Sequence, residues 1–235
     1  MNPYESDFHA WMADSEQALS HHKASEEHHL KALELEPNIP VNLENLAIVW
    51  LNDGKYDNSL EMWIKLNHLE PDHTQHWYNI AKCYYHLQVY DRSRFWAKKF
   101  KEAENGPKKE DNLVLLGQIE AKDKKFAESL HYYLELLSVK ENMSGEDVIE
   151  SWVQGIKDHG SGWSEKCISV IHDIIHGVIA ENNPVKVKNL IDVCKQVNAN
   201  AQLRLLGEYV QYEQSSTNPR SPSQKKRSSS KKKNN

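Results

Sequence analysis

The sequence predicts an all-α chain built as a superhelical array of antiparallel helix hairpins. Three observations carry that reading. Lys, Glu, Leu and Ala dominate, while 235 residues hold only nine Gly and eight Pro, which favours helix over a turn-rich β design. Two phrases, "KALELEPN" (31–38) and "KLNHLEPD" (65–72), close successive apolar runs 34 residues apart. Three independent series then keep that beat: the small residues Ala13, Ala47, Ala81 and Gly117, the serines Ser25, Ser59, Ser93 and Ser129, and the aromatics Tyr56, Tyr90 and Phe126, with His22 as a weak first member.

Each period reads as two helices. In "VNLENLAIVWLND", Leu43, Leu46, Ala47 and Trp50 fall at i, i+3, i+4 and i+7, one face of a helix. Gly54 breaks the pattern, and "YDNSLEMWIKLNHLE" starts a second stripe with Leu60, Trp63, Ile64 and Leu66. Pro71 forbids continuation. A small residue facing a large one lets the paired helices close up. One hairpin cannot bury its own apolar face, so neighbours must stack.

Past residue 141 the helical rhythm persists. Val148, Ile149, Trp152, Val153 and Ile156 form one amphipathic helix, and Cys167, Ile168, Ile171, Ile174, Ile175, Val178 and Ile179 a longer one. Pro184 suits a helix start ahead of Val187, Leu190, Ile191 and Cys194. "QLRLLGEYV" echoes "NLVLLGQIE" from the fourth period. After Gln214 the Ser/Lys/Pro composition cannot form a core, and disorder is expected. The expected organisation is four repeats over 1–141, diverged helical repeats with a capping helix over 142–214, and a disordered basic tail over 215–235.

The repeat resembles the tetratricopeptide repeat, whose signature is W-x2-L-G-x2-Y, then A-x3-F, then P. "WYNIAKCYY" (77–85) sets Trp77, Ile80, Ala81 and Tyr84 in the signature places, and "LAIVWLNDGKY" supplies Gly54 and Tyr56. The resemblance covers 6–141 as four repeats and implies a right-handed superhelical solenoid. It departs where His9 and His29 replace large apolar residues. It departs again where "ENGPKK" inserts two residues and displaces the closing proline to Pro107. Some members hold the C-terminal carboxylates of heat-shock chaperones with Lys, Asn and Arg. The matching positions here are Ala10, Asp14, Asn45, Gln75 and Asn79, of which only Asn45 fits. Asp14 would repel a carboxylate, so that partner is not expected.

The charge balance divides the chain in two. The last 21 residues carry seven basic side chains and no acid, leaving a net charge of −12 on the other 214. Arg220, Lys225, Lys226, Arg227, Lys231, Lys232 and Lys233 are suited to nucleic-acid phosphates or to a nuclear-import address, with solubilisation as the default role. The longest strong apolar run, 46–51, is far too short to span a bilayer. The N-terminus lacks the basic start and apolar stretch of a secretory signal. Cys83, Cys167 and Cys194, an odd number at wide spacing, read as reduced thiols in a cytosolic setting.

No catalytic constellation stands out. "HGSGWS" lacks both the Lys-Ser/Thr of a phosphate loop and the order of a nucleophile elbow, so it reads as an inter-helix loop. His172 and His176 lie one turn apart but in HDxxH rather than HExxH, with no third ligand fixed by spacing. Along one continuous helix the two His pairs of "HHKASEEHH" (21–29) stand about 10 Å apart, too far for a single ion; a break near His22 would let them approach, but a polar inter-helix turn with one half-buried ring is the expected reading. No metal and no cofactor are expected.

The concave groove is the stronger candidate. A second stripe on each first helix, rotated from the packing stripe, sets apolar and aromatic residues beside polar ones. Glu44, Ile48, Leu51, Tyr78, Lys82, Tyr85, Val114 and Gln118 are the expected partner contacts. The sequence thus points to a non-enzymatic scaffold that binds a peptide or helix of another protein. The rivals are a metal-dependent enzyme at His172/His176 and a nucleic-acid-associated protein using its tail.

Overall fold

The computed structural model describes residues 4–103, 109–139, 145–197 and 199–217. Among them lie twelve helices and no strand: α1 (Tyr4–Ala18), α2 (His22–Leu35), α3 (Pro40–Asn52), α4 (Tyr56–Leu69), α5 (Thr74–His86), α6 (Tyr90–Glu102), α7 (Lys109–Lys122), α8 (Phe126–Val139), α9 (Gly145–Lys157), α10 (Trp163–Ala180), α11 (Pro184–Gln196) and α12 (Asn200–Thr217). The first eight pair as four hairpins, α1/α2, α3/α4, α5/α6 and α7/α8, and each hairpin packs on the next through α2/α3, α4/α5 and α6/α7. Residues 104–108, within the stretch that carries the two-residue insertion, and the basic residues 220–233 lie outside the described residues. Backbone helix runs to Thr217, three residues past the point where the sequence suggests that the tail begins. No described helix is long and apolar enough to cross a membrane.

The small-residue and serine series turn out to be two halves of one contact. Ser59 Oγ–H donates to the Ala47 carbonyl at 2.7 Å, Ser93 to Ala81 at 2.8 Å and Ser129 to Gly117 at 2.7 Å. Each serine is fully buried on the second helix of its hairpin, and its partner is the small residue on the first. A bulkier residue in either place would separate the helices and break the bond. Ser25 holds the corresponding place in the first hairpin, is also fully buried, and has no hydrogen-bond partner. There the bond runs between other residues, from Ser6 Oγ to the Ala32 carbonyl at 3.3 Å.

The fourth hairpin has glycine in the small-residue place. A Cβ on Gly117 would stand 2.9 Å from Cε2 and Cζ of Tyr133, a ring that is itself buried. Any side chain at 117 would have to displace the Tyr133 ring.

Every hairpin turns through one left-handed residue. Ser20 (φ 61°), Gly54 (φ 76°), Gln88 (φ 61°) and Lys124 (φ 61°) each sit two positions before the second helix starts. The next amide reaches back five residues, His21 to Glu16 at 2.9 Å, Lys55 to Trp50 at 2.8 Å, Val89 to Tyr84 at 2.9 Å and Lys125 to Glu120 at 2.8 Å. This is the Schellman closure, which satisfies carbonyls orphaned at a helix end. His22, Tyr56, Tyr90 and Phe126, the aromatic series, are the first residues of α2, α4, α6 and α8.

Equivalent places meet across successive joints, with a different chemistry at each. At the first joint Trp50 Nε1 donates to Glu26 at 2.6 Å, and Lys55 pairs with the same carboxylate. At the second the places hold Leu60 and Tyr84, both packed on the apolar cluster of Leu43, Ala47, Trp63, Leu66, Ile80 and Cys83. At the third Arg94 Nε donates to buried Glu120 at 2.9 Å, while its other nitrogens reach Asp91 at 2.8 Å and Asp123.

The C-terminal half shares one apolar core with the fourth hairpin. It runs from Leu113 and Leu134 through Trp152, Ile171 and Ile175 to Leu190 and Leu206. The helix α9 packs on α7 and α8, and α10 and α11 both return to α8, so α8 is surrounded. The helix α12 packs on α10 and α11. Asn183 caps α11 by accepting from the amides of Val185 at 3.0 Å and Lys186 at 3.2 Å, with Pro184 in the first turn. All three cysteines are buried free thiols, and burial pushes Cys83 up to about 11 although Ser59 Oγ stands 3.5 Å from its sulfur.

Candidate functional site

A cleft of about 460 Å³ opens between α5, α7 and α9, with Tyr133 of α8 beneath. Tyr85 comes from α5, Gln118, Ala121 and Lys122 from α7, and Glu150, Ser151, Gln154 and Gly155 from α9, with Asp158 just past its end. The α7–α9 approach is close because a Cβ on Gly155 would already stand 3.0 Å from that of Ala121.

The cleft combines rings, amides and charge. Lys122 Nζ stands 3.4 Å from Asp158, which also accepts from Gln154 Nε2 at 2.8 Å. The Gln154 hydrogen bond, with Lys122 beside it, holds the Asp158 carboxyl below the usual carboxylate range. Burial raises the Tyr85 hydroxyl, against the pull of Lys122. Tyr85 lies edge-on to His86 at 5.5 Å and tilts against Tyr90 at 6.0 Å. Such a surface can hold an apolar side chain on the rings while the amides and charges engage a peptide backbone.

The sequence-selected contacts divide. Tyr85 and Gln118 line the cleft. Ile48 and Leu51 are half-buried and lean on the apolar cluster of the second and third hairpins, and Val114 does so on the C-terminal core. Glu44 is half-buried on α3, and Lys82 sits 5.8 Å above the Tyr78 ring.

Tyr78 itself departs from expectation. It is 7% exposed and packs on Phe100 at 5.6 Å, so its ring belongs to the core between α5, α6 and α7. Burial, with Asp111 nearby, pushes its hydroxyl up to about 12. Trp77 and Tyr84, which hold signature places of the repeat, are only half-buried. The physical reason is that α5 touches α4, α6 and α7 together. A helix sandwiched in an array buries more than one stripe.

Of the histidines, His172 and His176 are exposed on α10. His21 bonds Glu16 at 2.8 Å and His22 stands 3.9 Å from Asp53, while His28 bonds His9 through Nδ1 at 3.0 Å, so the tract serves separate local contacts. His29 is fully buried with neither ring nitrogen bonded, and desolvation lowers its pKa, with Asp14 opposing and His28 adding. Among the described residues one group of three brings metal-ligating atoms together, Glu70, His73 and His76, which the sequence reading passed over. Its signal was a spacing, E-x2-H-x2-H across the Pro71 turn.

No protein-family model matches the chain, and no curated protein matches it in sequence. Solved structures do. A tetratricopeptide repeat protein from Parabacteroides merdae superposes with a TM-score of 0.60 at 15% identity, covering 90% of this chain and 79% of that one. The chain has the tetratricopeptide-repeat fold. PilF of Pseudomonas aeruginosa matches with a TM-score of 0.56 at 14% identity over 92% of this chain and 93% of its own. YrrB, described as a tetratricopeptide repeat protein with an unusual peptide-binding site, matches at 0.56 and 12% identity over 88% and 93%. Within this tetratricopeptide-repeat array, Asn45, the residue that fits the chaperone-tail pattern, already donates to Asp14 at 3.0 Å.

Proposed function

We propose that the chain is a non-catalytic interaction scaffold that holds a peptide or helical segment of another protein in its concave groove. The observation that carries this is the α5–α7–α9 cleft, where two sequence-selected contacts, Tyr85 and Gln118, share walls with Lys122, Glu150 and Gln154. Solenoids of stacked hairpins use extended concave surfaces for recognition, and the peptide-binding site named for YrrB is consistent with such use. Ile48, Leu51, Lys82 and Val114 extend the surface along the array, with Glu44 at its far end. Tyr78 supports it from beneath. The scaffold needs no cofactor and works inside the cell.

The test selects ligands from a random peptide display library on the full chain, then measures their affinity by fluorescence polarisation. Tyr85→Ala combined with Gln118→Ala removes cleft contacts, and because Tyr85 also packs on the core between α5, α6 and α7, circular dichroism at the assay temperature checks that the variant is folded. Selected peptides should lose at least about tenfold in affinity, since an aromatic anchor carries about 2 kcal/mol or more, while the variant stays helical. Equal binding by the variant sinks the groove reading.

A further inference from the structure

The turn between the second and third hairpins holds a different chemistry. Glu70 caps the end of α4, His73 stands at the N-cap of α5, and His76 lies in the first turn of α5. The His73 amide donates to the Glu70 carbonyl at 3.2 Å and the His76 amide to the His73 carbonyl at 3.1 Å. That coiling brings every third residue to the same side. One ligand atom from each of the three lies within 4.8 Å of the others. His76 Nε2 is 3.7 Å from Glu70 Oε2, and the two imidazole centroids lie 4.4 Å apart with the rings tilted by 36°.

Burial distinguishes this group from a chance surface cluster. The His76 side chain is 1% exposed, whereas that of Glu70 is 43% exposed and His73 is exposed too. The site is therefore walled on the inside, where Trp63 stands 5.9 Å from the His76 ring, and open to solvent outside.

We propose that Glu70, His73 and His76 form a binding site for a divalent transition-metal ion, with Zn²⁺ the best fit. Two imidazoles and one carboxylate are a borderline donor set that suits zinc better than calcium or magnesium. Donors around a tetrahedral zinc at about 2.1 Å stand about 3.4 Å apart. The 3.7 Å between His76 and Glu70 is close to that span, and exposed His73, with a ligand atom within 4.8 Å of both, is the third donor. Three protein ligands leave a fourth position for water or an incoming ligand. Because the donors straddle the turn from α4 into α5, the ion ties the second hairpin to the third.

The experiment uses the full chain stripped of metal by a chelator. Co²⁺ serves as the optical probe, followed by displacement with Zn²⁺, and thermal unfolding is recorded with and without Zn²⁺. The expected result is a ligand-field band of tetrahedral intensity that Zn²⁺ bleaches, together with a raised melting temperature. His73→Ala and Glu70→Ala alter exposed side chains, so their metal-free melting temperatures should match the parent. Both should weaken metal binding by at least about tenfold. The chain has 13 histidines, so His172→Ala combined with His176→Ala is the control and should bind as the parent does. Absence of the band, its survival in His73→Ala, or its loss in the His172/His176 control overturns the proposal. None of these readouts depends on peptide binding, so the groove and the metal site stand or fall separately.

Discussion

At the residue scale the hairpin is held by a pairing of smallness and polarity. Ser59, Ser93 and Ser129 each bond the carbonyl of a small residue twelve positions earlier. Ser59→Ala should therefore cost about 1 kcal/mol. Ser25→Ala should cost nothing or stabilise slightly, because its buried hydroxyl has no partner to lose. Parallel urea titrations of the two variants check the contrast, and equal losses would mean that the bond contributes nothing. Space matters more than the bond in the fourth hairpin. Gly117→Ala pushes a methyl to 2.9 Å from the buried Tyr133 ring, and overpacking of that kind costs about 1–3 kcal/mol. A drop in denaturation midpoint should register it, and an unchanged midpoint would show that Tyr133 yields.

At the scale of the element, the inter-helix turns carry strain that sequence inspection reads only in part. Of the four left-handed turn residues, Gly54 is visible because it is glycine. Ser20, Gln88 and Lys124 occupy the same conformation with side chains and look like ordinary polar residues. A left-handed L-residue costs about 1–2 kcal/mol, and glycine returns about 0.4–1 kcal/mol of that through unfolded-state freedom. Lys124→Gly should stabilise by about 0.5–1 kcal/mol, seen as a higher melting temperature; a lower one would show that the Lys124 side chain contributes more than its backbone costs. Periodicity revealed the helices and the small-residue, serine and aromatic series because each repeats a residue type. It could not reveal the burial of Tyr78, which depends on three helices surrounding α5. It also passed over Glu70, His73 and His76, whose spacing recurs in no other repeat.

For the whole molecule, a buried histidine ties stability to acidity. Desolvation lowers the pKa of fully buried His29, with Asp14 opposing, and that of the exposed His86 is lowered too, where Lys82 adds to the effect and Tyr56 stacks on the ring at 4.4 Å. A histidine lowered in the folded state stays neutral where the unfolded chain, near the ordinary value of about 6.5, takes up a proton. Its contribution is complete above that value and is lost as pH falls through and below it. Melting temperature should accordingly decline between about pH 7 and pH 5. His29→Leu should flatten the decline and raise the melting temperature at neutral pH, because leucine buries no unbonded nitrogen. A pH profile identical to that of the parent would assign the loss to other groups.

The unlike joints also bear on how such a chain can change over generations. Tandem arrays readily gain or lose a unit by recombination, and where all joints are alike the product folds. Here, loss of the second repeat would set Glu26 against Tyr84, and loss of the third would set Leu60 against Glu120, a carboxylate only 3% exposed and deprived of Arg94. Each deletion takes from a carboxylate at the seam the hydrogen-bond donors it has now. The order of the repeats is therefore written into the seams themselves, and a lineage carrying this array is held to its full count.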